Sequence, residues 1–288
     1  MAIDAISIQG ALLPEAVRDR AADEGLEHLR RAGRLGALAR YRIYGNPGTS
    51  EGRQKAGLLF KKRVQDNPNL VKKWGMMVAK EIRYPAFSPL LAEFVGALIG
   101  DGGIRSSLQV TISFNSATET AYAQWLQLVI SRLFGLNSAI SFEKKSLGGT
   151  ILISSVNLVR FLGKATGLKP GNKLRNGLDV PAWIWHKQSY QIACLRGLID
   201  TDGSAFIHRY RVNGKEYRYP KLAFCSASDR LRESVFRLFL RLGFHPRLAT
   251  RSRQVFIDRQ EEFKRFYRIV GTRHIRRGAG VRLIGASC

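Results

Sequence analysis

The chain has 288 residues, of which 45% are hydrophobic, enough for one large domain or two smaller ones with buried cores. It carries 47 Lys and Arg against 22 Asp and Glu, and the formal net charge of +25 indicates a polyanionic partner. No apolar run approaches the roughly 18 residues of a membrane span. No basic residue precedes Arg18, so we expect neither a membrane protein nor a signal peptide.

The cysteine content favours a reducing, intracellular compartment. The three cysteines, Cys194, Cys225 and Cys288, are an odd number and have no CxxC spacing. This pattern argues against a disulfide scaffold and against a zinc site.

Residues 1–86 are predicted to form a basic, mostly helical extension with a loop at residues 44–50. Two patches, residues 33–36 and 52–57, each place Gly-Arg at the start of a helix-like stretch. Free N–H groups at a helix N-terminus beside an Arg suit phosphate, which favours an accessory contact with DNA. The alternative is a solvated helical extension whose glycines only interrupt it.

The rest of the chain repeats one order of elements. A helix to Gly100 precedes a strand at 109–115 with strict polar and apolar alternation, a helix at 118–134, a hairpin and a helix at 157–165. After a linker at 168–187, helix, hairpin, helix, two strands and helix follow, with a hairpin turn at Asn213-Gly214. We predict an α+β fold of two related halves, with domains at 1–86, 87–175 and 176–288.

Two segments of the same pattern, FVGALIGDG at 94–102 and LRGLIDTDG at 195–203, open the two halves. Small residues one helical turn apart let two helix backbones approach closely. They are Gly96 and Gly100 in the first segment, and Gly197 and Thr201 in the second. Gly102 and Gly203 stand where a helix C-terminus favours positive φ. Side-by-side packing of these helices brings Asp101 and Asp202 together.

Such a pair of aspartates requires compensation. Each carboxylate is disfavoured at the negative end of its helix dipole by about 0.3–1 kcal/mol, and the two repel each other. Divalent cations reverse both penalties, and Mg²⁺ takes carboxylate, phosphate and water oxygens, as in two-metal phosphodiester cleavage. In a protein of charge +25, this favours hydrolysis of a nucleic-acid backbone.

The two segments resemble the LAGLIDADG motif of homing endonucleases, in the single-chain form with two motifs, over residues 88–277. The resemblance implies two pseudo-two-fold related αββαββα halves with saddle-shaped antiparallel sheets along DNA. It implies that Asp101 and Asp202 bind metal, together with the backbone carbonyls of Gly100 and Thr201. Mg²⁺ is the expected ion; Mn²⁺ is expected to substitute, and Ca²⁺ to bind without supporting cleavage.

The motifs depart from the consensus at several positions. Phe94, Val95, Ala97 and Ile99 replace the residues that the family name spells in motif one, whereas Asp200 keeps the sixth position in motif two. Since Ile99 cannot bind metal, we interpret Asp200 as a structural residue.

The family also places a basic or polar residue near each metal site. Alignment of the repeats gives Lys169 and Arg273 after the last helix of each half, and Thr111 and Lys221 on the second strand. Lys169, Arg273 and Lys221 are therefore candidate catalytic residues; ordinary phosphate contacts are the alternative. Arg cannot lose a proton to act as a base, so the two sites are expected to be unequal if Lys169 assists the chemistry.

The polar sheet faces are the predicted DNA-binding surfaces, because two-stranded ribbons fit the major groove. In the first half the candidates are Arg105, Gln109, Thr111, Ser113, Asn115, Lys144 and Lys145. In the second half they are Arg209, Arg211, Arg218, Lys221, Arg247, Arg251 and Arg253. Residues 187–288 hold 22 basic and 8 acidic residues against 9 and 5 in 87–186, so we expect the second half to contribute more to DNA binding.

These observations predict a monomeric, site-specific endonuclease that makes a double-strand break in a long, asymmetric DNA duplex. The resemblance implies cleavage across the minor groove with short 3′ overhangs, in the mobilisation of an intron or a freestanding gene. A group I intron maturase acting on intron RNA and a non-cleaving DNA-binding regulator are the alternatives. Retention of both Asp101 and Asp202 argues against the regulator.

Overall fold

The computed structural model describes residues 15–67, 69–75, 79–143, 146–274 and 276–277. They form two compact units that divide between residues 75 and 79. In the part of the chain described, no helix is long and apolar enough to cross a membrane.

The first unit is helical, with α1 (Glu15–Tyr44), α2 (Ser50–Asp66) and α3 (Asn69–Lys73). The Thr49 hydroxyl accepts from the Gly52 amide at 3.0 Å and caps α2 after the predicted loop. The patch at 52–57 therefore begins in the first turn of α2. The patch at 33–36 lies inside α1, so the expectation of a helix start there is wrong: the helix continues through both glycines.

The first repeat of the second unit contains α4 (Pro89–Gly100), β1 (Gly102–Ser106), β2 (Gln109–Asn115), α5 (Thr120–Phe134), β3 (Ala139–Phe142), β4 (Gly148–Ser154) and α6 (Val156–Thr166). Its four strands form an antiparallel sheet in the order β1-β2-β4-β3. Hydroxyls cap two of the helices, since Ser88 accepts from Leu91 N and Ser155 from Leu158 N, both at 3.2 Å.

The linker between the repeats is anchored by an aromatic side chain. A 3-10 helix at Ala182–His186 carries Trp183, whose ring stacks on Phe87 with centroids 4.4 Å apart. The indole Nε1 donates to the Ala165 carbonyl at 2.7 Å. Trp183 thus holds the linker against both the start and the end of the first repeat.

The second repeat contains α7 (Gln188–Asp202), β5 (Gly203–Val212), β6 (Lys215–Cys225), α8 (Asp229–Arg241), β7 (Arg247–Ala249), β8 (Gln254–Ile257), α9 (Gln260–Ile269) and β9 (Arg276–Arg277). The sheet order is β7-β8-β6-β5-β9. Four strands are antiparallel, which confirms the repeated α+β order. The fifth strand, β9, was not predicted; it pairs in parallel with Ser204 and Ala205.

The close approach of α4 and α7 is confirmed, and both helices lie in the core. A Cβ added at Gly96 would overlap the Cys194 carbonyl oxygen, and one at Gly197 would overlap that of Glu93. The prediction of positive φ at the two motif-ending glycines is wrong, since neither has it. Instead, a side chain at Gly102 would meet Leu98, and one at Gly203 would meet Ile199.

Candidate active site

The two motif aspartates lie at the same end of the α4–α7 pair. Asp202 is the last residue of α7. Asp101 follows α4; its amide donates to Ala97 O at 3.2 Å, and its carbonyl accepts from Ser113 N on β2 at 3.0 Å. A Cβ at Gly100 would lie 3.2 Å from Asp202 Oδ2, so the carboxylate of motif two stands beside the backbone of motif one. Both aspartates are half-buried.

A lysine that the sequence analysis did not identify lies at this site. The Lys173 ammonium donates to the carbonyls of Ile99 at 2.7 Å and Gly102 at 3.0 Å, and also to that of Gly100. Burial lowers the pKa of Lys173, against the charges of Asp202 and Asp101, which raise it. A cation is therefore already held at the C-terminal end of α4, where the helix dipole favours positive charge.

The donors around Asp101 and Asp202 are the hard oxygens that Mg²⁺ takes. No group of three His, Cys, Asp or Glu side chains that could hold a metal occurs among the described residues. Two carboxylates and backbone carbonyls would thus supply only part of the ligand set, which leaves positions for phosphate and water oxygens. The Lys173 contacts show that this end of the helix pair attracts positive charge. These residues fit the divalent ion that the resemblance implies.

Asp200 is buried away from solvent and ties α7 to the segment after α9. It accepts from the Thr272 hydroxyl and, at 2.9 Å, from the Arg273 amide. Burial raises the pKa of Asp200 to about 7, although the hydrogen bonds from Thr272 and from the backbone of Arg273 and His274 lower it. These contacts agree with the structural role predicted for Asp200.

Arg273, a predicted catalytic residue, is engaged between the two repeats. Its Nε donates to Glu93 Oε1 at 3.1 Å, and its guanidinium lies 5.2 Å from the centroid of the Trp125 ring. Arg196 Nη1 binds the other Glu93 oxygen at 2.9 Å. Glu93 is only 2% exposed, so two arginines of the second repeat neutralise a buried carboxylate of the first.

Lys169 and Lys221, the other predicted catalytic residues, lie in different settings. Lys169 is exposed in the loop after α6, four positions before Lys173. The Lys221 ammonium pairs with Asp258 Oδ1 at 2.8 Å. Burial would raise the pKa of Asp258, but hydrogen bonds from Arg247 and Lys221 outweigh it and the pKa is lowered.

The predicted polar face of the first sheet is present on β2, where the residues between the buried Val110, Ile112 and Phe114 are half-buried or exposed. Thr111 and Ser113 are among them. Asn115 Oδ1 accepts from the Ala117 amide at 2.9 Å, so this side chain also holds the turn after β2. Arg105 is exposed on β1. Lys144 and Lys145 lie outside the described residues.

The predicted basic residues of the second sheet are divided between its two faces. Three of them lie on the face of the β5–β6 hairpin that also carries the buried Ala205 and Leu222: Arg209, Arg211 and Arg218. Arg247 lies on the outer face, over the Phe256 ring at 4.5 Å. Arg251 and Arg253 are exposed in the turn between β7 and β8.

Residues 189–277 match the family model described as a LAGLIDADG-like domain. The second repeat is similar to the domain of that family. The match begins in α7, contains Asp202 and ends with β9, so the resemblance drawn from the motifs is confirmed there. The first repeat carries the same motif and the same order of elements.

Solved structures that are similar to this chain include a homing endonuclease and a LAGLIDADG meganuclease. The homing endonuclease I-DmoI in complex with DNA and Mn is 19% identical, with 65% of this chain and 98% of that chain covered and a TM-score of 0.44. The meganuclease I-AabMI bound to uncleaved DNA is 11% identical, with coverages of 63% and 83% and a TM-score of 0.44. At these identities the likeness concerns the fold alone. Comparison with curated proteins finds no match.

Proposed function

We propose that this protein is a metal-dependent DNA endonuclease that cleaves both strands of a long, asymmetric duplex site. The observation that carries the proposal is the meeting of Asp101 and Asp202 at one end of a glycine-mediated helix pair, beside the Lys173 ammonium. Two half-buried carboxylates at helix C-termini are unfavourable in isolation, and divalent cations with a phosphodiester would stabilise them.

Asp101 and Asp202 would hold the divalent ions, with the carbonyls of Gly100 and Thr201 as further ligands. Mg²⁺ is the proposed ion; Mn²⁺ would replace it, and Ca²⁺ would bind without cleavage. When bound, the ion supplies an activated water and neutralises charge on the phosphate. A carbonyl oxygen has two lone pairs, so the Gly100 oxygen can accept from Lys173 and also face an ion.

In this proposal Lys173, and not the aligned Lys169, is the basic residue near the metal site of the first repeat. Its ammonium fixes three carbonyls at the end of α4 and adds positive charge beside both aspartates. Positive charge prearranged near a phosphate stabilises the charge that develops during its hydrolysis. In the second repeat Arg273 binds Glu93, so the two centres would differ in their basic residues.

One chain carries both aspartates, so the proposed enzyme is a monomer. A reducing compartment is proposed for it, on the odd number of its cysteines and their lack of CxxC spacing. A role in the homing of an intron or of a freestanding gene completes the proposal.

The test is cleavage of a randomised duplex library by the purified protein in Mg²⁺, compared with Asp101→Asn, Asp202→Asn and the double variant. We expect double-strand breaks from the parent, nicks of opposite strands from the single variants, and binding without cleavage from the double variant. Tight duplex binding without cleavage in Mg²⁺ or Mn²⁺ would establish the regulator instead. Preferential binding of structured intron RNA would establish the maturase.

A further inference from the structure

The second sheet has an aromatic row on its outer face. Beyond its pairing with β8 and β9, the β5–β6 hairpin continues as a two-stranded ribbon over residues 206–221. On one face of this ribbon lie His208, Tyr210, Tyr217 and Tyr219, which we call the aromatic ridge. The register pairs His208 with Tyr219 and Tyr210 with Tyr217.

The ridge is ordered by its own contacts. His208 and Tyr210 are exposed, and Tyr217 and Tyr219 are half-buried. The ring of Tyr210 is nearly parallel to that of Tyr217 at 5.4 Å and to that of Tyr219 at 5.8 Å, with an interplanar angle of 16° in each case. The ring of His208 lies 5.7 Å from that of Tyr210. Tyr210 nevertheless remains 42% exposed. Since the rings already restrain one another, a ligand that binds their edges loses little affinity to side-chain ordering.

Most of the ribbon's charges lie away from the ridge. Arg209 and Arg211 alternate with Tyr210 and lie on the other face, with Arg218 opposite Arg209. Lys215 lies at the tip, its ammonium 5.6 Å from the centroid of the Tyr217 ring. Lys221, the other lysine on the ridge's face, is paired with Asp258. The ribbon thus has an aromatic face, a basic tip and arginines on its other face. This arrangement suits a DNA duplex, because Lys and Arg side chains bind phosphates while the aromatic face is left for the bases.

The outer face of the first sheet has the opposite chemistry, because Gln109, Thr111 and Ser113 offer amide and hydroxyl groups. Such groups read the donors and acceptors of base edges in the major groove. The principal apolar group on those edges is the thymine 5-methyl. An aromatic face in the groove therefore gains most from thymine.

We propose that the aromatic ridge contacts thymine 5-methyl groups in the major groove of the half-site bound by the second repeat. This inference rests on the proposed DNA endonuclease function and names the specificity of one of its two surfaces. The two half-sites are then read by different chemistry: hydrogen bonding by the first sheet, and methyl contacts by the ridge.

The test replaces thymine with uracil, which keeps the pairing with adenine and removes only the methyl. Duplexes of the target selected by the wild-type protein carry uracil in the half-site of the second repeat, in that of the first repeat, or in neither. We expect uracil in the second half-site to weaken binding about fourfold for each contacted methyl, the loss expected for one buried methyl group. Uracil in the first half-site should leave affinity nearly unchanged.

Tyr210 and Arg209 are exposed on opposite faces of the ribbon and give matched variants. Tyr210→Ala should remove the difference between thymine and uracil duplexes, and Tyr217→Ala should reduce it. Arg209→Ala should weaken binding to both duplexes equally and leave their ratio as in the wild type. Circular dichroism of each variant verifies that the fold is kept.

The outcomes separate this inference from the function on which it rests. If the wild-type protein binds no duplex, or prefers RNA, the proposed function is overturned and the ridge proposal with it. If the protein binds and cleaves its duplex but affinity is the same with thymine and uracil, only the ridge proposal is overturned. The same holds if Tyr210→Ala leaves the thymine preference intact.

Discussion

The substitution Gly96→Ala tests the idea that backbone contact between α4 and α7 sets the position of the two aspartates. In the present structure the new Cβ would lie 3.1 Å from the carbonyl carbon of Cys194 and 3.0 Å from the amide nitrogen of Leu198, and closer still to the Cys194 oxygen. These obstacles are backbone atoms, so no side-chain rotation can relieve the overlap. The helices must separate.

The expected magnitude combines two opposing effects. Replacement of a helical Gly by Ala gains about 0.5–1 kcal/mol of helix stability. Overpacking of a buried site costs about 1–3 kcal/mol or more. The upper range applies here because α4 and α7 pack along their length and carry the buried Leu98 and Leu195, whose contacts loosen together. We expect a net loss of about 1–2 kcal/mol in the free energy of unfolding.

The assay is urea unfolding followed by circular dichroism, combined with single-turnover cleavage at saturating protein. Gly163→Ala, within α6, is the matched control, since a Cβ there would meet only the Leu168 carbonyl oxygen, at 3.5 Å. It should stabilise the protein by about 0.5–1 kcal/mol and leave cleavage unchanged. If Gly96→Ala is as stable as the parent and cleaves at the same rate, backbone contact does not position the aspartates.

Three further outcomes are expected. Lys173→Met should lower the single-turnover cleavage rate about 10²- to 10³-fold with little change in Kd for DNA, whereas Lys169→Met should leave the rate close to that of the parent; equal effects would remove the distinction between the two lysines. Because the pKa of Asp258 is lower in the folded protein than its ordinary value of 3.8, its carboxylate adds to the free energy of unfolding at pH values above 3.8. This stabilisation is lost as the pH falls through the lowered pKa of the folded state. Asp258→Asn should therefore be less stable to unfolding than the parent at pH 6, and the difference should shrink as the pH falls below 3.8; a constant difference would contradict this. Glu93→Gln should weaken the joint between the repeats, measured as faster hydrogen exchange at residues 272–274, and unchanged exchange would contradict it.

The motifs made the helix pair predictable because glycine spacing and a terminal aspartate are local features. Lys173 was not predictable in the same way. Its loop reverses at Gly171, where φ is +96°, and Asn172 Oδ1 accepts from the amides of Leu174 and Arg175. These turns carry Lys173 back to α4, while the aligned Lys169 stays exposed. Alignment of repeats compares positions in sequence, and the path of this loop differs from its counterpart.

The aromatic ridge did leave a signal in the sequence. A two-residue turn at Asn213-Gly214, where φ is +49° and +76°, fixes the register of the hairpin. That register alone sets Tyr210 opposite Tyr217 and predicts which face each arginine occupies. Strand β9 had no such signal, because a two-residue parallel pairing depends on where the chain after α9 returns.

That return path determines which parts of the protein can be exchanged between relatives. Thr272 binds Asp200 of its own repeat, whereas Arg273 binds Glu93 of the other, and His274 lies 3.6 Å from Glu119 and stacks on Tyr122 of the first repeat. A chimaera joined within the linker would replace the residues that bind Glu93 by those of another protein. Where these do not restore the ion pairs, the buried carboxylate is left uncompensated, at a cost of about 3–5 kcal/mol. The module that can be transplanted is therefore the second repeat together with the α4 and α5 surface that receives its last residues.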